Sequence, residues 1–188
     1  MFASLESKYV QTQAMLEQAD LLFDRKECEA ALRRVAAEIT RDLGESYPLL
    51  LPVMGGAVVF TGKLLPLLRF PLDFDYVHVS RYGDKLRGGE FHWKRMPDAE
   101  AVRGRDVVVL DDILDEGHTM AAIKNKLLAM GAASCRTAVF ANKLIDREKP
   151  VKADYAGLNV PNRYVFGYGM DAAGAWRNLD EIYALKQD

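Results

Sequence analysis

Cysteine is nearly absent: Cys28 and Cys135 are the only two in 188 residues. Two thiols are too few for a disulfide scaffold, and these lack metal-ligand spacing. Both lie in apolar patterns, so small buried thiols in a reducing cytoplasm are expected. Long hydrophobic runs are missing as well. None approaches the ~20 residues of a membrane-spanning helix, so no membrane partner is expected. Glu6, Lys8, Gln11 and Gln13 stand where a signal peptide needs an apolar core, which argues against export. There is no basic surplus: 25 Lys and Arg against 27 Asp and Glu leave a net charge of −2. Non-specific nucleic-acid binders usually carry excess positive charge, so no nucleic-acid partner is expected. Repeats and low-complexity linkers are absent too. What is present is a 49% apolar chain with 10% aromatics, enough for one globular domain with a full core.

Hydrophobic periodicity supplies the elements. A helix is expected over residues 5–22. Asp24 and Glu27 have the spacing of a capping pair for a second helix. In it Cys28, Ala31, Leu32, Val35, Ile39 and Leu43 form one apolar stripe, closed by Gly44. Residues 49–54 read as a buried strand, Gly55-Gly56 as a turn and 57–68 as a helix. Residues 72–79 alternate like a strand. Residues 80–93 are polar and glycine-containing, which predicts a long loop or an irregular hairpin. Further apolar runs occupy 137–141 and 164–168, and 181–185 is expected to close the sheet. Strands alternating with helices imply a mostly parallel sheet.

The densest signal lies at residues 107–119. Val107, Val108, Val109 and Leu110 run straight into Asp111 and Asp112, with Asp115, Glu116, Gly117, His118 and Thr119 just beyond. The apolar run predicts a buried parallel strand. Met120, Ile123, Leu127 and Leu128 then recur at helical spacing, and Gly131 is a stop signal. The acidic and glycine residues are thus expected to form a strand-to-helix turn at the carboxyl end of a strand, where open α/β sheets bind ligands. Free N–H groups at the helix start favour an anion, and Gly117 permits close approach. The carboxylates repel an anion. A ligand satisfying both carries phosphate at one end and hydroxyls, or a removable proton, at the other. A phosphorylated ribose has this shape, with Asp111 and Asp112 accepting from its hydroxyls and Asp115 acting as a base. On the acidic residues alone, a receiver-like acidic pocket or a solvated loop competes.

Weaker signals stand elsewhere. The glycine pair after Met54 allows close approach to an anion, or makes a simple turn. The loop from Ser80, Arg81 and Tyr82 onward is a candidate lid or a plain surface loop. Lys143 at a strand end is ordinarily a solvated lysine, Tyr164 in a short apolar strand ordinarily core, and Arg177 ordinarily half of a surface ion pair.

The segment Val109-Leu110-Asp111-Asp112-Ile113-Leu114-Asp115-Glu116-Gly117-His118-Thr119 resembles the signature of type I phosphoribosyltransferases, which binds 5-phosphoribosyl 1-pyrophosphate. Resemblance to the hypoxanthine-guanine branch spans about residues 48–180. It implies an α/β fold with a mostly parallel central sheet flanked by helices, a small hood and a flexible flap. This would be a single domain of residues 1–188, with N-terminal helices in 1–44, a core over about 45–158 and a hood segment over about 159–188. It implies purine salvage, in which the phosphoribosyl group moves to hypoxanthine or guanine to give IMP or GMP and pyrophosphate, with Mg²⁺. By resemblance Asp111, Asp112, Asp115, Glu116, Gly117, His118 and Thr119 hold ribose and phosphate, and Asp115 is catalytic. Met54, Gly55 and Arg177 meet pyrophosphate, and Ser80, Arg81 and Tyr82 belong to the flap. Lys143, Tyr164, Val165 and Asp171 meet the purine, and Asp111, Asp112 and Asp171 face the metal. The lysine would select an oxo group over an amino group, because an ammonium only donates.

Some positions depart from the family pattern. Met54 stands where many members have lysine, and Arg81 is inserted between Ser80 and Tyr82. Glu116 replaces a common threonine and is expected to point outward, since a carboxylate beside phosphate repels it. His118 replaces a common lysine and is expected to offer its backbone N–H. A homodimer or homotetramer is implied. The alternatives are a xanthine-preferring transferase or an RNA-binding regulatory homologue, which needs a basic face that the net charge does not promise. A phospho-acceptor receiver is weaker, because the early strand lacks the second acidic cluster that it requires.

Overall fold

The computed structural model describes residues 4–81 and 91–186, with Arg81 described by its backbone alone. In chain order the elements are α1 (Leu5–Glu17), β1 (Asp20–Phe23), α2 (Arg25–Leu43), β2 (Leu49–Pro52), α3 (Val58–Leu64) and a 3₁₀ turn (Leu65–Leu67). Then come β3 (Asp73–Phe74), β4 (His78–Arg81), β5 (Phe91–Arg95), α4 (Ala99–Val102), β6 (Asp106–Leu114), α5 (His118–Ala129), β7 (Ser134–Lys143), β8 (Tyr155–Val160), β9 (Val165–Phe166) and β10 (Ile182–Ala184). Strands β3-β2-β6-β7-β8 form the central sheet, parallel throughout. A second sheet, β1-β10-β9, is antiparallel, and β4 pairs with β5 as a hairpin.

Helices cover both faces of the central sheet, which explains its unbroken apolar run. Val108 and Leu110 join the core under α2 and α3, whereas Val107 and Val109 join the core under α5. Successive side chains of a strand point to opposite faces, so a strand covered twice must be apolar at every position. The α2 stripe is buried along its length, from Cys28 to Leu43. Its start is a reciprocal capping box: the Glu27 N–H donates to Asp24 Oδ1 at 2.8 Å, and the Asp24 N–H donates to Glu27 Oε2 at 2.8 Å. No helix among the described residues is long and apolar enough to cross a membrane.

Several expectations need correction. The first helix ends at Glu17, and Asp20–Phe23 is a strand, because β10 offers a backbone to pair with: Leu21 lies opposite Tyr183. Residues 72–79 are two strands, not one. Between them the Asp75 carboxylate accepts the Tyr76 N–H at 2.8 Å, a local bond that competes with the ladder. Residues 182–184 do not close the central sheet. Its edge is β8, which pairs with β7 from Ala138↔Tyr155 to Lys143↔Val160. β10 instead lies between β1 and β9 in the small sheet. The Arg163 guanidinium braces that sheet, donating to Asp20 Oδ2 at 2.6 Å and to the Leu185 carbonyl at 2.8 Å. Leu128 shares the helical spacing of α5 but is exposed.

Candidate functional site

Asp111 and Asp112 lie inside β6, not in the turn after it, because the strand runs on to Leu114. The turn itself is Asp115, Glu116 and Gly117. Asp112 is buried, and its Oδ1 accepts the Ile113 N–H at 2.8 Å, while Asp111 Oδ1 accepts the Asp112 N–H at 3.0 Å. Burial pushes the Asp111 carboxyl well above its ordinary range, and the neighbouring Asp112 adds to the effect. Burial raises Asp112 as well, against the opposing pull of its hydrogen bonds and of Arg177.

Backbone closes over this pair. A Cβ on Gly56 would stand 2.2 Å from Asp112 Oδ2, so only glycine lets the β2–α3 turn pass there. Beside a Gly55 Cβ there would be open space, and the Met54–Gly55 peptide is cis. The Met54 N–H donates to the Val77 carbonyl at 2.8 Å. At the other end of the turn Gly117 has φ +84° and caps α5, and no side chain caps the helix. Its first-turn N–H groups therefore face the cavity of about 340 Å³ lined by Asp111, Asp115, Glu116, Gly117, His118 and Thr119, among others. The Glu116 carboxylate pairs with Arg147.

A second cavity, about 470 Å³, adjoins the first, and Asp112, Ile113 and Asp115 line both. Lys143, Tyr164, Val165, Met170 and Asp171 form its far side, with Asn162 and Arg163. Lys143 ends β7, its side chain only 12% exposed, and its Nζ lies 2.8 Å from Asp115 Oδ2. Tyr164 is exposed and Val165 buried. Asp171 Oδ2 accepts the Gly174 N–H at 2.8 Å, and its Oδ1 lies 2.6 Å from Arg177 Nη2. Arg177 Nη1 also donates to the Gly169 carbonyl at 2.7 Å and stands 3.8 Å from Asp112 Oδ2. One guanidinium thus bridges Asp171 and Asp112.

The structure brings together Asp111, Asp112, Asp115, Glu116, Gly117, His118, Thr119, Lys143, Tyr164, Val165 and Asp171 around these two cavities, and Arg177 touches them through Asp112 and Asp171. Ser80 lies in β4 opposite His92 and lines neither cavity. The Arg81 side chain and Tyr82 lie outside the described residues. Sequence reasoning missed Ile113, Asn162, Arg163 and Met170, which carry no pattern of their own. It also missed Lys149, whose Nζ bonds the Leu114 carbonyl, Asn142 Oδ1 and the Lys143 carbonyl at 2.7, 3.0 and 2.6 Å. Among the described residues no group of three or more His, Cys, Asp or Glu is placed to hold a metal by itself.

A parallel sheet with paired carboxylates and an uncapped helix start at one strand end is a frame suited to a transferase that handles phosphorylated sugars. Residues 18–173 match the phosphoribosyl transferase domain family, and the chain belongs to it. It is 32% identical over 168 residues to a hypoxanthine-guanine phosphoribosyltransferase of Bacillus subtilis (strain 168), covering 88% of this chain and 92% of that one. A solved hypoxanthine-guanine-xanthine phosphoribosyltransferase is 31% identical, with TM-score 0.76 over 91% of this chain and 97% of the other. A hypoxanthine phosphoribosyltransferase structure from Staphylococcus aureus, 24% identical, shares the fold with TM-score 0.84 over 92% of this chain and 95% of its own.

Proposed function

We propose that this chain transfers the phosphoribosyl group of 5-phosphoribosyl 1-pyrophosphate to a 6-oxopurine, hypoxanthine or guanine, in purine salvage. The observation that carries this is the Lys143–Asp115 pair, a donor and an acceptor 2.8 Å apart where the base cavity meets the phosphate turn. A 6-oxopurine inserted there offers each a partner: its oxo group accepts from Lys143, and its ring N–H donates to Asp115. Adenine presents an amino group to Lys143, donor against donor. Tyr164 supplies an aromatic face for the base. The N–H groups of Gly117, His118 and Thr119 receive the 5-phosphate, and the Glu116 side chain is held aside by Arg147.

In the reaction the purine ring nitrogen bonds to ribose C1 as the C1–O bond to pyrophosphate breaks, and Asp115 takes the ring proton. Positive charge on the ribosyl group is balanced by Asp111, Asp112 and the leaving pyrophosphate. The Asp111–Asp112 pair fits Mg²⁺, since two crowded carboxylates with raised proton affinity are relieved by a cation, and substrate oxygens would complete its shell. When bound, the ion neutralises the pyrophosphate. Asp171 would face it from across Arg177. The same reading includes Met54, Gly55 and Arg177 on pyrophosphate, a closing flap of Ser80, Arg81 and Tyr82, a cytoplasmic setting, and a homodimer or homotetramer. Pyrophosphate release with hypoxanthine, guanine, xanthine and adenine, each with phosphoribosyl pyrophosphate and Mg²⁺, tests the proposal. Release with hypoxanthine or guanine is expected. Release with adenine alone would overturn it.

A further inference from the structure

Strands that end together leave acceptors behind. The last rung of the β6–β7 ladder is Leu114↔Asn142; β6 ends there, and β7 runs one residue further, to Lys143 beside Val160 of β8. Carbonyls at such an end have no further strand to accept from. Lys149, in the loop after β7, occupies that place. Its ammonium has three donors. They go to the Leu114 carbonyl at 2.7 Å, the Lys143 carbonyl at 2.6 Å and Asn142 Oδ1 at 3.0 Å. The side chain is part-buried, and the charges facing it are Asp115 and Lys143. Leu114 immediately precedes Asp115, and the second carbonyl is that of Lys143 itself. The Lys149 stem also packs where a Cβ on Gly117 would lie, 3.5 Å from Lys149 Cβ.

We infer that Lys149 is a positioning residue that sets the spacing between Asp115, Lys143 and the phosphate turn. This rests on the function proposed above. Lys149 touches no substrate. It fixes the backbone from which the acceptor and the donor project, so that a purine meets both at once. An apolar side chain of similar length would take the lysine's donors from two carbonyls and let the strand ends drift. A misplacement of about 1 Å at a reacting centre costs up to about 10²-fold.

Two variants and two readings test this. Lys149→Met removes all three donors. Lys149→Gln keeps two and is the milder change should the methionine variant not fold. For Lys149→Met, kcat is expected to fall about 10- to 100-fold and KM for the purine to rise, with KM for phosphoribosyl pyrophosphate changed much less. Lys149→Gln should show the same split at smaller size. A purely structural lysine would lower the melting temperature and leave the folded enzyme's kinetic constants alone, and that result would overturn the assignment. Amide hydrogen exchange reads the ligand-free protein and so stands apart from the substrate, which the wild-type pyrophosphate-release assay tests. Faster exchange at residues 114–117 and 143–145, with β2 unchanged, is expected. Unchanged exchange there in both variants would overturn the inference whatever the substrate.

Discussion

The two walls of the proposed site, one for phosphate and one for the base, are built differently. The phosphate wall is one uninterrupted piece of chain, β6 into α5, threaded through the middle of the central sheet. Asp112 within it is buried, and the backbone of Gly56 packs directly on that carboxylate. The base wall is gathered from separate segments: Lys143 from the end of β7, Tyr164 and Val165 entering β9, and Asp171 from the turn beyond. Side-chain pairs hold it, Lys143 with Asp115 and Asp171 with Arg177. One wall is set by main chain and core; in the other, apart from the buried Val165, the polar side chains are held by contacts that a ligand can replace. A change in the first should therefore cost fold and function together. In the second it should cost binding and leave the fold alone.

Asp115 sits on the seam, and its loss should produce the largest effect. Asp115→Asn keeps the shape and still accepts from Lys143, but cannot take a proton. Transfer is expected to slow by about 10²-fold or more with the melting temperature unchanged, the scale of general acid–base catalysis. Wild-type turnover from the folded variant would remove Asp115 from the chemistry. Lys143→Ala comes next. Losing a charged donor at a mostly buried position should weaken 6-oxopurine binding about 10- to 100-fold, equivalent to about 1.5–3 kcal/mol, measured by calorimetry. Phosphoribosyl pyrophosphate should bind nearly as before. Equal losses for both ligands would mean that the walls are one unit.

The same division explains what the sequence made legible. Where a single stretch of chain builds the site, pattern and structure agree: the valine run is the buried strand, and Asp115 and Gly117 fall in the strand-to-helix turn that turn chemistry predicts. The capping box of α2 and its buried stripe agree for the same reason. What escaped depends on partners distant in sequence. Asp20–Phe23 is a strand only because Ile182–Ala184 lies beside it. The strand Tyr155–Val160 was not foreseen, and residues 181–185 were given its place at the sheet edge. Lys149 and Arg163 act through carbonyls that no local pattern announces. Even the position of Asp111 and Asp112 within β6 depends on β7 continuing alongside, with Asp111 opposite Val139.

Two substitutions test the fixed wall. Gly56→Ala would drive a methyl group into the Asp112 carboxylate, 2.2 Å away, and overpacking of this kind costs about 1–3 kcal/mol. A lower melting temperature and a fall in transfer should appear together. If activity fell with stability intact, the wall would be less rigid than its packing implies. Asp111→Asn should move stability the other way. Burial and Asp112 raise the Asp111 pKa above that of the unfolded chain, so the native state holds the proton more tightly. Stability is then lost as pH rises through the folded value and regained as pH falls toward the unfolded one. Asparagine imitates the protonated form. At pH 7 the variant should melt at a higher temperature than the wild type while losing activity. Thermal scans from pH 4 to 8 should show a flatter curve than the wild type. A lower melting temperature at pH 7 would mean that an ionised Asp111 stabilises the fold.

The smallest effect belongs to the outermost part of the base wall. Tyr164 is 53% exposed, and its backbone is held by the Leu185 N–H, which donates to its carbonyl at 2.9 Å. The ring is thus free of the core, and its removal should leave stability within about 0.5 kcal/mol of the wild type. Stacking on a purine contributes about 0.5–1.5 kcal/mol beyond area burial, so Tyr164→Ala should raise the purine KM roughly 2- to 12-fold. Tyr164→Phe should restore it, because the face of the ring makes the contact and not the hydroxyl. The kinetics should be read beside a thermal melt of each variant. An unchanged KM in the alanine variant would show that the base does not rest on this ring. A melting temperature several degrees lower would show that Tyr164 supports the hood, and that the base wall, like the phosphate wall, is fixed by the fold.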